Sequence, residues 1–548
     1  MKIKQILSII LAFALLFSFS ACRNRGEETP APEPNVSEED ELVIYHNNTE
    51  LAQPLISLAE KYSAATGTKV SAKLAGSDFM GEIKSKGAAI YVVDTHSDLS
   101  SWHSGGLFTD IMNDASFSSA ISQIPAGIQL NSQGLGSYGV PLMLEGYGYI
   151  FDTDMLSALF GEEKASALAD DLRTCSFTEF EGFVAAVDTY ISAPSAAKIT
   201  INGNEYTFAP EKTGKAQNLT GVFSLNSEST RAMEHLLSYG LAAKFASRYD
   251  VMSADENAVS SAKDIFAAYI EVLDMHTSHI AGAEGSIGRG ENFVGGDYTY
   301  STSVDLFTNG YALFYPGGTS DAADFEKSNA AFGENLDIIP MKLPLSDENI
   351  SAAGMTAEKL QSSIVIGSRF YLAVNPNADE NRVAAAKEFI SWLWSSKGGS
   401  VYSEVFGGVP YNFAYDMTSG TENSEPMPEN SAPESETSAP PAESKQARTE
   451  SAPEENPAAE QNPTAEPVPS HSIKNSLYSA VAEYYATGNW IPDMSSALPA
   501  DFAEKVLGEG TADYWGMETW TEQNRTDFSD MLLSGWKTRL NKENTAVG

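Results

Sequence analysis

Leu42-Val43-Ile44-Tyr45 is an unbroken apolar run that ends on the polar tripeptide His46-Asn47-Asn48. A short run of this kind, rich in β-branched and aromatic residues, reads as a buried first strand. A helix follows it. Thr49 stands where a cap is needed, Leu51, Leu55, Leu58, Ala59 and Tyr62 fall on one face, and Gly67 ends it. Lys69 to Leu74 then alternates like a second strand, and Ala88 to Val93 supplies a third that closes on Asp94-Thr95-His96-Ser97-Asp98. Strands alternating with helices predict βαβ units and an α/β fold with mostly parallel sheets flanked by helices. In such sheets ligands gather at the carboxyl ends of the strands. The polar tips at His46 to Asn48 and at Asp94 to Asp98 are therefore expected along one binding edge.

A second strand-helix region runs from about Tyr147 to Ile339, with helical stretches at Thr178 to Tyr190, Glu228 to Phe245 and Asn257 to Met275. Ser363 to Asn375 is strongly apolar, with Phe370, Leu372 and Val374 alternating before an Asn-Pro turn. After it, Arg382 to Ser396 places Val383, Ala386, Phe389, Ile390 and Leu393 on one stripe, and Gly398-Gly399 stops it. Residues 417–469 differ in kind. Up to Pro467 they contain no Val, Ile, Leu or aromatic residue and are dense in Pro, Glu, Ser and Ala. Such a stretch cannot offset the entropy of ordering and is expected to be a disordered insert. Helical spacing resumes with Ile473, Leu477, Val481 and Tyr484 and continues into a Trp-rich tail.

The ends and the composition bound the compartment. Lys2 and Lys4 precede the apolar run Ile6 to Phe19, which is short for a membrane span and reads as the core of a signal peptide. Phe19-Ser20-Ala21-Cys22 resembles a bacterial lipobox, so residues 1–22 are expected to be a lipoprotein leader with the lipid, palmitate included, on Cys22. Residues 23–40 are polar and rich in Pro and Glu, as a flexible tether would be. The chain has 2 cysteines, so a lipidated Cys22 leaves Cys175 without an internal partner. A formal net charge of −40 argues against binding nucleic acid, since phosphate contacts need a basic footprint. It argues equally against electrostatic docking on an anionic membrane.

Several stretches, in order, resemble the family 1 extracellular solute-binding proteins of ABC importers, the maltose-binding type. Tyr138-Gly139-Val140-Pro141-Leu142 and Glu145-Gly146-Tyr147-Gly148-Tyr149-Ile150-Phe151-Asp152-Thr153-Asp154-Met155-Leu156 look like that family's first crossover between lobes. Phe307-Thr308-Asn309-Gly310-Tyr311-Ala312-Leu313-Phe314-Tyr315-Pro316-Gly317-Gly318 resembles its helix-to-strand segment. Tyr371 to Ala378 with Ala384 to Ile390 matches its late strand-helix unit, and Val409-Pro410-Tyr411-Asn412 its final hinge loop. The 417–469 insert has no counterpart in that pattern.

The resemblance implies two α/β lobes joined by three crossovers, with the ligand in the cleft and closure by a hinge. Lobe I would comprise residues 41–143 and 362–405. Lobe II would comprise 144–361, 406–416 and 470–548. The implied function is an extracytoplasmic protein, anchored by lipid to the bacterial cell membrane. It would capture a mono- or oligosaccharide and hand it to ABC permease subunits, as a monomer, without cofactor or metal.

A sugar site needs hydrogen-bonding groups that replace hydroxyl hydration and aromatic faces that stack on a pyranose. By resemblance, Glu145 falls where the family places a crossover carboxylate. Asp94, His96 and Asp98 occupy the loop after the third strand, where each could instead be a cap. Asn47 and Asn48 share the first strand's tip, with helix capping as their competing role. Tyr147 and Tyr149 alternate with glycines and could form a stacking platform or belong to the core. Tyr315 is a cleft candidate because Gly317 permits close backbone approach, and Tyr411 is a candidate lid.

No Gly-x-Ser-x-Gly elbow, His-Glu-x-x-His or Walker loop occurs. His276 and His279 lack a third ligand in sequence and read as a helix-end pair. Two alternatives to a transport protein remain: a surface lipoprotein glycoside hydrolase, and a ligand-sensing lipoprotein serving a membrane receptor.

Overall fold

The computed structural model describes residues 41–546 except 96–98, 115–116, 118–123, 132–135, 229–230, 331, 333–334, 394, 396–397, 399–400, 402–404, 406–475 and 500. The leader, Cys22, the tether, His96, Asp98, Tyr411 and the 417–469 insert lie outside the described residues. Among the described residues no helix is long and apolar enough to cross a membrane.

The first sheet forms as its apolar runs dictate. It contains β1 (Leu42–His46), β2 (Val70–Leu74) and β3 (Ile90–Asp94), linked by α1 (Ala52–Thr66) and α2 (Phe79–Lys86). β1 lies between β2 and β3 and is parallel to both, which is the βαβ pattern expected. α1 buries Leu55, Leu58, Ala59 and Tyr62 and ends at Gly67, whose φ of 78° is the left-handed cap that glycine adopts without a Cβ penalty. Thr49 does not cap α1. Leu51 is the boundary residue with no side-chain cap, and Asn48 Oδ1 accepts from Glu50 N at 2.7 Å one step earlier. Asn48 thereby shapes the turn into the helix.

The chain then crosses to a second sheet. β4 (Val140–Pro141) completes the first sheet, and β5 (Glu145–Asp152) starts the second only a few residues later. β5 is buried along its whole length. The second lobe continues through α3 (Phe177–Ser192), the hairpin β6 (Lys198–Ile201) and β7 (Asn204–Thr207), and β8 (Gly221–Phe223). Next come α4 (Arg231–Lys244), α5 (Arg248–Met252), α6 (Lys263–Ser278) and α7 (Tyr300–Thr308). The helix expected at Asn257 to Met275 is thus two, because a short turn, Glu256–Ser260, is capped separately by Asp255. β9 (Ala312–Gly318), α8 (Ala322–Ser328) and β10 (Leu336–Ile339) follow.

The apolar run Ser363 to Asn375 does not enter one lobe. It splits into β11 (Ile364–Gly367) and β12 (Phe370–Val374). β11 pairs antiparallel with β5 in the second sheet, whereas β12 pairs with β3 and β4 in the first. The second crossover therefore falls at Ser368-Arg369, later than the lobe boundary read from the sequence. Beyond α9 (Glu380–Leu393), chain that follows the insert returns to the second lobe as α10 (Ser476–Thr487), β13 (Trp490–Pro492) and α11 (Glu522–Ala546). The sheet orders are β2-β1-β3-β12-β4 and β13-β11-β5-β9-β8, with β10 in line with β11 along one edge of β5.

Helices cover both faces of each sheet. α1 and α9 share one apolar cluster with β1, β3 and β12, while Phe79, Ile83 and Trp102 pack on the opposite face with Tyr91 and Tyr371. The second lobe is centred on a larger cluster that includes Tyr149, Phe180, Phe223, Phe314 and Trp536.

Candidate functional site

The two crossovers lie side by side. Glu145, the first residue of β5, is in register with Gly367, the last of β11, and Leu142 N donates to Phe370 O at 2.8 Å. Polar side chains from distant segments converge here. Glu145 is 4% exposed, and its Oε2 accepts from the Tyr147 hydroxyl. The Tyr147 ring passes over Gly318, where a Cβ would collide with it, and its face is stacked on His235 at 3.4 Å between centroids and 15° between planes. His235 Nδ1 lies 3.6 Å from Asp493 Oδ2.

Asp493 reaches the crossover because Gly367 has no side chain; a Cβ there would come within 2.6 Å of the Asp493 Cβ. Its Oδ1 accepts from Ser238 Oγ (2.9 Å), Ser495 N (3.1 Å) and Ser495 Oγ (2.8 Å). Burial alone would raise this carboxyl, but the contacts with His235 and Ser495 outweigh burial and hold it well below the usual carboxylate range. Arg248, on α5, is 3% exposed and donates through Nη1 to Ser496 Oγ. Its guanidinium, Asp493 and Glu145 all act electrostatically on the buried Tyr371 hydroxyl of β12, which donates to Ile128 O at 2.9 Å. Both lobes thus contribute to one polar cluster where they meet.

The other predicted residues are distributed unevenly. Asp94 ends β3 beside the second crossover and is ion-paired to Arg369, with Nη2 at 2.9 Å. Asn47 is exposed at the tip of β1, and Asn48 is engaged in its turn. Tyr149 is in the core, not on a platform. It is fully buried, stacked on Phe180, with its hydroxyl 2.6 Å from His276 Nε2. Tyr147 has a ring face covered by His235, so the two tyrosines do not form an open stacking surface. Tyr315 is likewise core, packed edge-on to Phe325 and 5.5 Å between centroids from Phe307. Gly317 serves that packing, since a Cβ there would strike the Tyr315 ring. These positions changed role because β5 and β9 are central strands buried on both faces, so alternation along them has no solvent side. His235, Arg248, Asp493 and Ser495 were missed. No local motif marks them, and Asp493 meets β11 from the far side of the insert.

His276 and His279 diverge. His279 Nδ1 lies 3.2 Å from Asp188 Oδ1, while His276 is buried against Tyr149. Among the described residues no cluster of His, Cys, Asp and Glu could hold a metal ion. Burial pulls the His276 imidazole down to about 3. The unfolded chain takes up that proton near pH 6.5 and the folded chain does not, so stability is lost as pH falls from 6.5 toward about 3. The full loss is on the order of 4–5 kcal/mol. Thermal unfolding at pH 4 and pH 7 should show a smaller acid loss in His276→Gln than in the parent chain. Equal losses would remove His276 from the acid response.

A family model of bacterial extracellular solute-binding proteins matches residues 57–425. The chain belongs to this family. Its fold is that of solved solute-binding proteins. A family 1 extracellular solute-binding protein from Bifidobacterium longum subsp. infantis is 12% identical, with TM-score 0.51, over 91% of this chain and 99% of that one. Apo RafE from Streptococcus pneumoniae is 12% identical with TM-score 0.53, over 91% and 97%. RafE in complex with raffinose is 12% identical with TM-score 0.50, over 91% and 99%. At this identity the likeness speaks for the fold. Comparison with curated protein sequences gives no match. As a solute-binding protein, the chain is two-lobed, and its polar cluster lies where the lobes join.

Proposed function

We propose that this solute-binding protein captures a carbohydrate between its lobes and delivers it to an ABC importer, held at the outer face of the cell membrane by lipid on Cys22. The observation that carries the reading is the buried Glu145 carboxylate at the junction of the crossovers, linked through Tyr147 to His235, which in turn lies beside Asp493. Such a set of acceptors and donors suits a polyhydroxylated ligand, and closure of the lobes would exclude water from it. The raffinose complex of RafE makes sugars the first class to try. Binding without turnover is the expected chemistry.

The test is thermal unfolding of the full-length chain in mild detergent across mono- and oligosaccharides, with amino acids and polyamines as controls. A sugar at 100 times its dissociation constant should add about 2.7 kcal/mol of stability and be recovered intact. A shift with amino acids or polyamines alone, or a sugar recovered cleaved, would overturn the carbohydrate-binding reading.

A further inference from the structure

Arg248 is a guanidinium at a position 3% exposed, yet among the described residues only Nη1 has a partner, the Ser496 hydroxyl. Nε and Nη2 are buried without a hydrogen-bond partner among the described residues. No carboxylate among the described residues lies within ion-pair distance of it. Asp493, the nearby acid, already accepts three hydrogen bonds on Oδ1 and faces His235 with Oδ2. Leaving a buried cation in this condition is costly, because burial removes its hydration and, among the described residues, the Ser496 hydroxyl replaces only part of it.

The identity of the two unpartnered atoms is informative. Nε–H and one Nη2–H point the same way along one edge of the planar guanidinium. They form the parallel pair that donates to two oxygens of a single carboxylate or phosphate side-on. A lone hydroxyl would satisfy one of them. The guanidinium's partner Ser496 follows shortly after Asp493, whose side chain packs against Gly367 beside the second crossover, so the group stands close to where the lobes meet.

We infer that Arg248 is an oxyanion subsite and that the captured carbohydrate is acidic, presenting a carboxylate side-on to Nε and Nη2. This rests on the carbohydrate reading of the junction. It also fits the chain's charge in a particular way. A protein of net charge −40 repels anions at long range, so an acidic cargo requires a local, desolvated cation such as this one.

The experiment is calorimetric titration of the full-length chain in mild detergent with matched pairs. These are galactose against galacturonate, glucose against glucuronate, raffinose and maltotriose against trigalacturonate, with glucose 6-phosphate as the phosphate arm. Acidic sugars should bind more tightly than their neutral counterparts. Arg248→Met should erase that preference, weakening the acidic ligand by roughly 10- to 100-fold with a much smaller effect on neutral sugars. Arg248→Lys keeps the charge but not the parallel pair and should fall between; it also decides the matter if the methionine variant does not fold. Preference for glucose 6-phosphate over every carboxylate would overturn the sugar-acid assignment. Equal affinity for neutral and acidic partners, or an acid preference that survives both substitutions, would overturn the subsite and leave the carbohydrate reading standing. Failure of every sugar, neutral and acidic, would overturn both.

Discussion

Cutting the Trp536 indole back to a methyl group should cost the second lobe about 3–5 kcal/mol. Trp536 lies on α11, is fully buried, and packs against Phe245 (5.9 Å between centroids) and Phe266 (6.3 Å). Phe266 belongs to α6, so the indole is what locks the C-terminal helix onto the body of the lobe. Domains of ordinary stability hold about 5–15 kcal/mol in total, so this one substitution removes a large share of it. In scanning calorimetry the transition of the second lobe should move down by roughly 10 °C. The indole N–H has no hydrogen-bond partner among the described residues, so Trp536→Phe should recover most of the loss. An unchanged thermogram in Trp536→Ala would make α11 an appendage rather than part of the lobe.

Glu145→Gln should weaken the ligand by roughly 10- to 100-fold while the protein stays folded. A charged acceptor makes hydrogen bonds of about 1.5–3 kcal/mol, against about 0.5–1.5 kcal/mol for a neutral one. The amide still offers Tyr147 an oxygen, so the local structure is preserved. Glu145→Ala removes that oxygen too and should lower stability by about 1–3 kcal/mol as well, because the buried Tyr147 hydroxyl loses this acceptor. Affinity by titration and stability by thermal unfolding separate the two effects. Parent-like affinity in both variants would confine Glu145 to holding Tyr147.

Much of the architecture was legible in the residues. The first three strands, α1 and its glycine stop stand close to where apolar runs and period placed them, because each signal is local. The first crossover was legible through its resemblance to solute-binding proteins, and Glu145 does sit at its start. The site was less legible. Tyr149 and Tyr315 looked exposable beside glycines, yet Gly148 lets Ile338 and the Ile339 carbonyl approach and Gly317 makes room for the Tyr315 ring itself.

The sequence by itself determined the α/β fold class and the order in which strands and helices are made, since periodicity and turn residues act within a few positions; the two lobes followed from its resemblance to solute-binding proteins. Tertiary structure alone decided which sheet each buried strand joins. Ile364 to Gly367 and Phe370 to Val374 read as one apolar run but belong to different sheets, because a strand buried on both faces carries no alternation to choose a side. It also decided the polar cluster. Glu145, His235, Arg248 and Asp493 come from four separate segments, and only the paired crossovers and the missing side chain at Gly367 bring them to one place.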